Sequence, residues 1–115
     1  MGKRSGKVGK LESKFQKEVK DDIRKRLPGS FVLKMDPNEI QGIPDLLVLY
    51  EDKWAMLEVK RSTNASRRPN QDYYVAIMDE MSYTCFIYPE NKEEVLDELQ
   101  RTLQSKRKTR VSKRK

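Results

Sequence analysis

The chain is short, highly charged and basic, with 115 residues, 37% of them charged, and a formal net charge of +7. Its length suits one domain with one modest core, and no apolar run approaches the roughly 18–20 residues that span a membrane. The lack of histidine excludes Cys/His zinc sites and histidine general bases, and the single cysteine, Cys85, excludes an intrachain disulfide.

The basic charge is concentrated at the two ends of the chain. Residues 1–10 contain four Lys or Arg and residues 106–115 contain seven, with no acid in either segment. Residues 11–105 hold 14 basic and 18 acidic side chains, a net charge of −4. We predict one domain over 11–105, between a disordered basic N-terminal arm (1–10) and a disordered basic tail (106–115). Such ends favour polyanions without sequence specificity, although solubilising tails would have the same composition.

Apolar spacing and turn residues predict the secondary structure. Four-residue apolar spacing predicts a first helix that Pro28-Gly29 ends, and short apolar runs bounded by turn residues predict strands. The predicted elements are a helix over 10–27, strands over 31–35, 46–50 and 54–57, a helix over 69–81, a strand over 83–88 and a helix from residue 89. This α-β-β-β-α-β-α order predicts an α/β protein with a mixed central sheet flanked by helices.

Two acids and a lysine accompany the predicted hairpin, in a region that otherwise has the pattern of buried strands. A turn of two or three residues would pair Asp45 with Glu58, give or take a residue or two, and facing side chains lie about 4.5–5.5 Å apart. Glu58 and Lys60 project from the same face of the strand because they are two residues apart. Carboxylate oxygens are ligands for Mg²⁺, and a neighbouring lysine stabilises charge on a phosphate. The pattern therefore predicts a metal site for phosphodiester hydrolysis.

The first helix offers a further carboxylate. Glu12 lies near its predicted start, and Glu18 lies further along the same helix. Spacing alone does not choose between them, and the ordinary interpretation of either is a solvated helix carboxylate.

The segment Gly42-Ile43-Pro44-Asp45-Leu46, followed after twelve intervening residues by Glu58-Val59-Lys60, resembles the PD-(D/E)XK, or restriction-endonuclease-like, nuclease superfamily. The order of predicted elements is similar to the αβββαβ core of that superfamily. Within it, the chain resembles small phage and archaeal Holliday junction resolvases and VRR-NUC domains. The latter likeness comes from residues 42–46 and from a glutamine on the following helix, here Gln71.

The resemblance implies an active-site set of Glu12, Asp45, Glu58 and Lys60. Leu11-Glu12 is similar to the Leu-Glu context of the resolvases, which favours Glu12 over Glu18. Asp45, Glu58 and the carbonyl of Val59 would hold Mg²⁺, which Mn²⁺ could replace, and Glu12 would help to bind a second metal or a water. Gln71 would support Lys60 or touch the substrate.

By the same resemblance, the chain would be a Mg²⁺-dependent DNA endonuclease that cuts branched DNA such as four-way junctions. Cutting two strands with one site per chain implies a homodimer. With no secretory signal, we expect it in the cytoplasm of a prokaryotic or phage-infected cell. Basic side chains that could contact DNA are Lys34, Arg61, Arg67 and Arg68. The alternatives are a nuclease for flaps, ends or single strands, a non-catalytic binding module, and a small basic architectural protein.

Overall fold

The computed structural model describes the backbone of residues 2–105 and the side chains of residues 11–105. The helices and strands of this part of the chain follow the predicted order. They are α1 Gly2–Arg26, β1 Phe31–Lys34, β2 Leu46–Tyr50, β3 Lys53–Val59, α2 Pro69–Met81, β4 Thr84–Ile87 and α3 Lys92–Leu103, with a 3-10 turn over Pro89–Asn91. The predicted basic tail over 106–115 lies outside the described residues, and the predicted domain boundaries stay predictions.

Helix α1 begins earlier than the sequence predicted. We expected a disordered arm over 1–10 and a helix from about Lys10, whereas the backbone is helical from Gly2. Lysine and arginine are good helix formers, and extending a helix adds one hydrogen bond per residue without a new nucleation cost. Beyond the other end of α1, Gly29 has a φ of 93° and the Ser30 N–H donates to the Leu27 carbonyl at 3.0 Å. This tight turn stops the helix, as Pro-Gly predicted.

The four strands form one mixed sheet in the order β1-β2-β3-β4. The first two pairings are antiparallel, and α2 crosses over to make β3 and β4 parallel. A two-residue turn joins β2 to β3, with Glu51 at a φ of 57°, in the left-handed region that such turns use. The register pairs Leu46 with Leu57. Continued by one residue, it places Asp45 opposite Glu58, as the sequence predicted.

Helices α1 and α3 cover one face of the sheet, and α2 packs on the other face against β3 and β4. The core between the sheet and the first pair of helices comprises Phe15, Val19, Ile23, Leu27, Val32, Leu46, Val48, Ala55, Leu57, Val59, Ile87, Val95, Leu96, Leu99 and Leu103. Arg26 joins α1 to α3 through ion pairs with Glu93 (2.8 Å) and Asp97 (2.7 Å). Within the described residues, no helix is long and apolar enough to cross a membrane.

The half of the second face that β1 and β2 form carries exposed apolar side chains. Phe31 is 67% exposed, Leu33 46% and Leu49 36%. Phe31 and Leu49 are cross-strand partners, so these groups are contiguous. We call these three residues the β1–β2 apolar surface. A patch of this kind beside an edge strand is typical of an interaction surface.

Candidate active site

Asp45, Glu58 and Lys60 meet at the end of the β2–β3 hairpin, on the face of the sheet that α2 covers. Glu58 is 2% exposed and Lys60 is 8% exposed. The main chain holds Asp45 on both sides: its carbonyl accepts the Met35 N–H at 2.7 Å, and its Oδ2 accepts the Val59 N–H at 2.8 Å. These contacts aim the Asp45 carboxylate at the strand that carries Glu58.

Gln71, in the first turn of α2, lies between the acid and the lysine. Its Nε2 donates to Glu58 Oε2 at 2.9 Å, and its Oε1 accepts from Lys60 Nζ at 2.9 Å. Lys60 Nζ also donates to the Ser66 carbonyl at 3.1 Å, and it lies 3.8 Å from Glu58 Oε2. The lysine is thus held chiefly by neutral oxygens. Sequence reasoning missed Ser66, because a main-chain acceptor leaves no residue-specific signal.

The carboxyl groups of this site resist ionisation. Burial and, to a smaller extent, the charge of Asp45 raise the pKa of Glu58 to about 8, against the opposing effect of Lys60. The pKa of Asp45 is also raised, first by burial, although its bond from the Val59 amide and the charge of Lys34 oppose the shift. Burial likewise raises the pKa of Glu12, with a smaller contribution from Asp45. Burial makes it costly to ionise all three of these interacting acids, although Lys60, Lys34 and Arg61 oppose the shifts.

A divalent cation would stabilise the ionised forms of these carboxyl groups. Glu58 Oε1 is buried and accepts no hydrogen bond, which leaves one carboxylate oxygen available as a ligand. Among the side chains of residues 11–105, no three His, Cys, Asp or Glu converge closely enough to hold a metal by themselves. Mg²⁺ commonly binds through one or two carboxylates together with waters and substrate phosphate. The donor set therefore fits a cation that is held partly by the protein and partly by a substrate.

The two candidate acids of α1 lie in different surroundings. Glu18 Oε2 accepts from Lys92 Nζ at 2.6 Å, in an ion pair with α3. Glu12 instead interacts electrostatically with Lys60 and Asp45. Of the two acids, the structure brings Glu12 to the hairpin site.

The four basic side chains that could contact DNA also differ in their surroundings. Lys34 and Arg61 interact with the acids of the site, and Arg61 lines a cavity of about 300 Å³ between α1 and the 3-10 turn.

Arg67 stacks on the Phe86 ring, with its guanidinium carbon 4.3 Å from the centroid, and pairs with Asp72 at 3.4 Å. Arg68 is exposed, and its N–H donates to the Gln71 side chain at 3.1 Å. Lys34 and Arg61 thus flank the acids, whereas Arg67 is engaged by side chains of its own chain.

This fold recurs in a solved structure described as a VRR_NUC domain. The match has a TM-score of 0.63 and 23% sequence identity, and it covers 76% of this chain and 95% of that one. No protein-family model matches the sequence, and no curated protein matches it. At this level of identity the likeness establishes the architecture. The chain has the fold of that VRR_NUC domain, as the resemblance of its motifs predicted.

Proposed function

We propose that this chain is a Mg²⁺-dependent DNA endonuclease that hydrolyses phosphodiesters in branched DNA. The observation that carries the proposal is the Asp45–Glu58 pair beside Lys60 at the end of an apolar hairpin, where Glu58 is buried with one oxygen unsatisfied. A buried carboxylate beside a second acid is costly for the fold alone, and a substrate-bound cation would relieve that cost. The VRR-NUC fold supports the nuclease class.

In this proposal, Asp45, Glu58 and the Val59 carbonyl hold Mg²⁺ or Mn²⁺, and Glu12 helps through a water or a second ion. When bound, the metal would polarise the phosphodiester and lower the pKa of a water. Lys60, kept in place by Gln71 and the Ser66 carbonyl, stabilises negative charge on the attacked phosphate. Because its hydrogen bonds are to neutral oxygens and Glu58 Oε2 lies 3.8 Å away, its charge remains available for that role.

Branched DNA and a homodimer form the finer part of the proposal. A four-way junction needs two cuts, and one catalytic set per chain then requires two copies. The β1–β2 apolar surface supports an interface between copies, since it is apolar and lies next to an edge strand. We expect Phe31→Glu to shift a dimer to monomer in analytical ultracentrifugation, while Tyr73→Glu, at a similarly exposed side chain on α2, leaves the mass unchanged. A wild-type monomer at micromolar concentration would contradict the homodimer.

The test of activity is cleavage of a labelled synthetic four-way junction in Mg²⁺, beside a linear duplex, a flap and a single strand of the same sequence. Paired symmetric nicks in the junction, lost in Asp45→Asn, support the full proposal. Cutting of flaps, ends or single strands instead would support nuclease activity but would contradict branched DNA as its substrate. Tight binding without cleavage in Mg²⁺ or Mn²⁺ would make the chain a non-catalytic nucleic-acid-binding module.

A further inference from the structure

The first turn of α2 contacts both halves of the candidate site. Gln71 binds Glu58 and Lys60 of the β3 side. Its neighbour Asn70 contacts the other side, where its Nδ2 donates to the Gln41 carbonyl at 3.2 Å. Gln41 belongs to the segment that leads into Asp45. Two adjacent side chains of one helical turn therefore contact the two sides of the site: Gln71 the β3 side, and Asn70 the segment that precedes β2.

The contact between Asn70 and this segment is close enough to require glycine. Gly42 has a φ of 93°, in the left-handed region that favours glycine. A Cβ added there would lie 2.9 Å from Asn70 Cγ and 3.0 Å from Asn70 Cβ. The main chain at Gly42 thus lies so close to Asn70 that a side chain at position 42 would clash with it.

A short and stiff path joins this contact to the catalytic acid. The Ile43 N–H donates to the Ile40 carbonyl at 3.2 Å, which closes a turn around Gly42. Pro44 is fully buried, and its ring fixes its φ. The Asp45 carbonyl then accepts the Met35 N–H at 2.7 Å. With each residue on the path restrained, displacement at Gly42 would be transmitted to Asp45.

We propose that Asn70 is a positioning residue that fixes the segment over residues 39–45 against α2, so that one helical turn sets the placement of Asp45 relative to Glu58. The effect of this positioning on metal binding rests on the proposed function, whereas the positioning itself is a property of the metal-free chain. Loss of the contact would let the segment open and would displace the Asp45 carboxylate from its position facing Glu58.

The test uses Asn70→Ala, with Asn64→Ala as the matched control, because Asn64 is an exposed asparagine in the loop between β3 and α2. Two quantities are measured below the unfolding temperature: amide hydrogen exchange at Ile43 and Met35 in metal-free protein, and the dissociation constant of Mn²⁺ by calorimetry. Removing one hydrogen bond should accelerate exchange at both amides and weaken Mn²⁺ binding, each by about 3- to 10-fold. Asn64→Ala should change neither.

A second variant tests the close approach directly. Gly42→Ala should weaken Mn²⁺ binding more than Asn70→Ala does, and its effect should be smaller in the Asn70→Ala background, where the close contact with Asn70 Cγ is gone. Strictly additive effects would overturn the coupling between the two residues. Unchanged exchange at Ile43 and Met35 in Asn70→Ala, even with a lowered melting temperature, would overturn the positioning role. If wild-type protein binds no Mn²⁺, the proposed function fails and the exchange data alone decide the role of Asn70.

Discussion

Lys60 and Lys92 each lie beside acidic side chains, and their two clusters carry opposite electrostatic signatures. Lys92 Nζ directly contacts Glu18 at 2.6 Å and Asp22 at 2.7 Å, and these bonds raise the pKa of Lys92. Lys60 Nζ lies 3.8 Å from Glu58, and it is the acid that is perturbed, with a raised pKa. In one cluster the acids stabilise the charged lysine, and in the other burial disfavours the charged carboxylates.

The difference separates an ion-pair cluster that joins two helices from a site prepared for a ligand. At Lys92, the acids of α1 meet a lysine of α3 without an intervening group, and Glu18 is 51% exposed at its side chain. At Lys60, the Gln71 amide stands between lysine and acid, and Glu58 Oε1 has no hydrogen-bond partner. A lysine beside carboxylates therefore behaves differently in the two clusters, because the burial of the acids and the group between lysine and acid differ.

The largest expected contrast is between two Asp→Asn substitutions, one in each cluster. Asp45→Asn should reduce cleavage by more than about 100-fold, because it removes a ligand charge at the proposed metal site. Asp22→Asn, in the Lys92 cluster, should leave cleavage within about twofold of wild type. Single-turnover cleavage of labelled DNA measures both. Equal losses in the two variants would mean that the Lys60 cluster has no special catalytic role.

Gln71→Ala should have the next largest effect. Removing the amide leaves Glu58 and Lys60 without the group that orients both, and losses of about 10- to 100-fold are typical for partners of metal ligands. We expect the rate in saturating Mg²⁺ to fall and the Mn²⁺ dissociation constant to rise. Gln104→Ala, just beyond α3, is the control. A rate unchanged by Gln71→Ala would show that the amide is not needed to orient the pair.

The two clusters should also respond differently to pH. The pKa of Glu58 is about 8 in the folded chain, above its ordinary value of 4.5, so the folded state keeps a proton that the unfolded state releases. The free energy of unfolding of metal-free protein should therefore fall as pH rises from about 4.5 to about 8 and level off above that. The raised pKa of Lys92 adds stability that is already complete below its ordinary 10.5 and so adds no slope in this window.

Urea unfolding in EDTA at pH 5.5, 6.5 and 7.5 measures this slope. Glu58→Gln should reduce it, because an amide does not titrate, and Glu18→Gln should leave it unchanged. Stability that rises with pH across this window in wild-type protein would contradict the assignment.

The smallest expected effect is at the structural cluster. Lys92→Met removes the ion pairs with Glu18, Asp22 and Glu93 but keeps most of the aliphatic length of a side chain that is 15% exposed. Because its acidic partners reach solvent, the loss of stability should be about 1 kcal/mol. Urea denaturation measures it, and the cleavage rate of the folded variant should match wild type. A loss of activity without unfolding would place this cluster in the functional site.

The sequence by itself determined the local geometry of the site. A two-residue turn and strand periodicity set the hairpin register, so the facing positions of Asp45 and Glu58 follow from neighbouring residues. Pro69 and the apolar spacing after it likewise gave the bounds of α2, which the structure places at Pro69–Met81. These features depend on a few residues close in the chain, and the motif then indicated the fold that the solved structure supports.

Only the tertiary structure decided which distant side chains join the hairpin. Glu12 and Glu18 are six residues apart, so their directions around α1 differ by roughly 120°, and the packing of α1 selects one of them. The Ser66 carbonyl, the stacking of Arg67 and the contact of Asn70 with Gln41 likewise depend on where loops and helices meet. Such contacts join residues that are separated along the chain, and neither propensity nor periodicity encodes them.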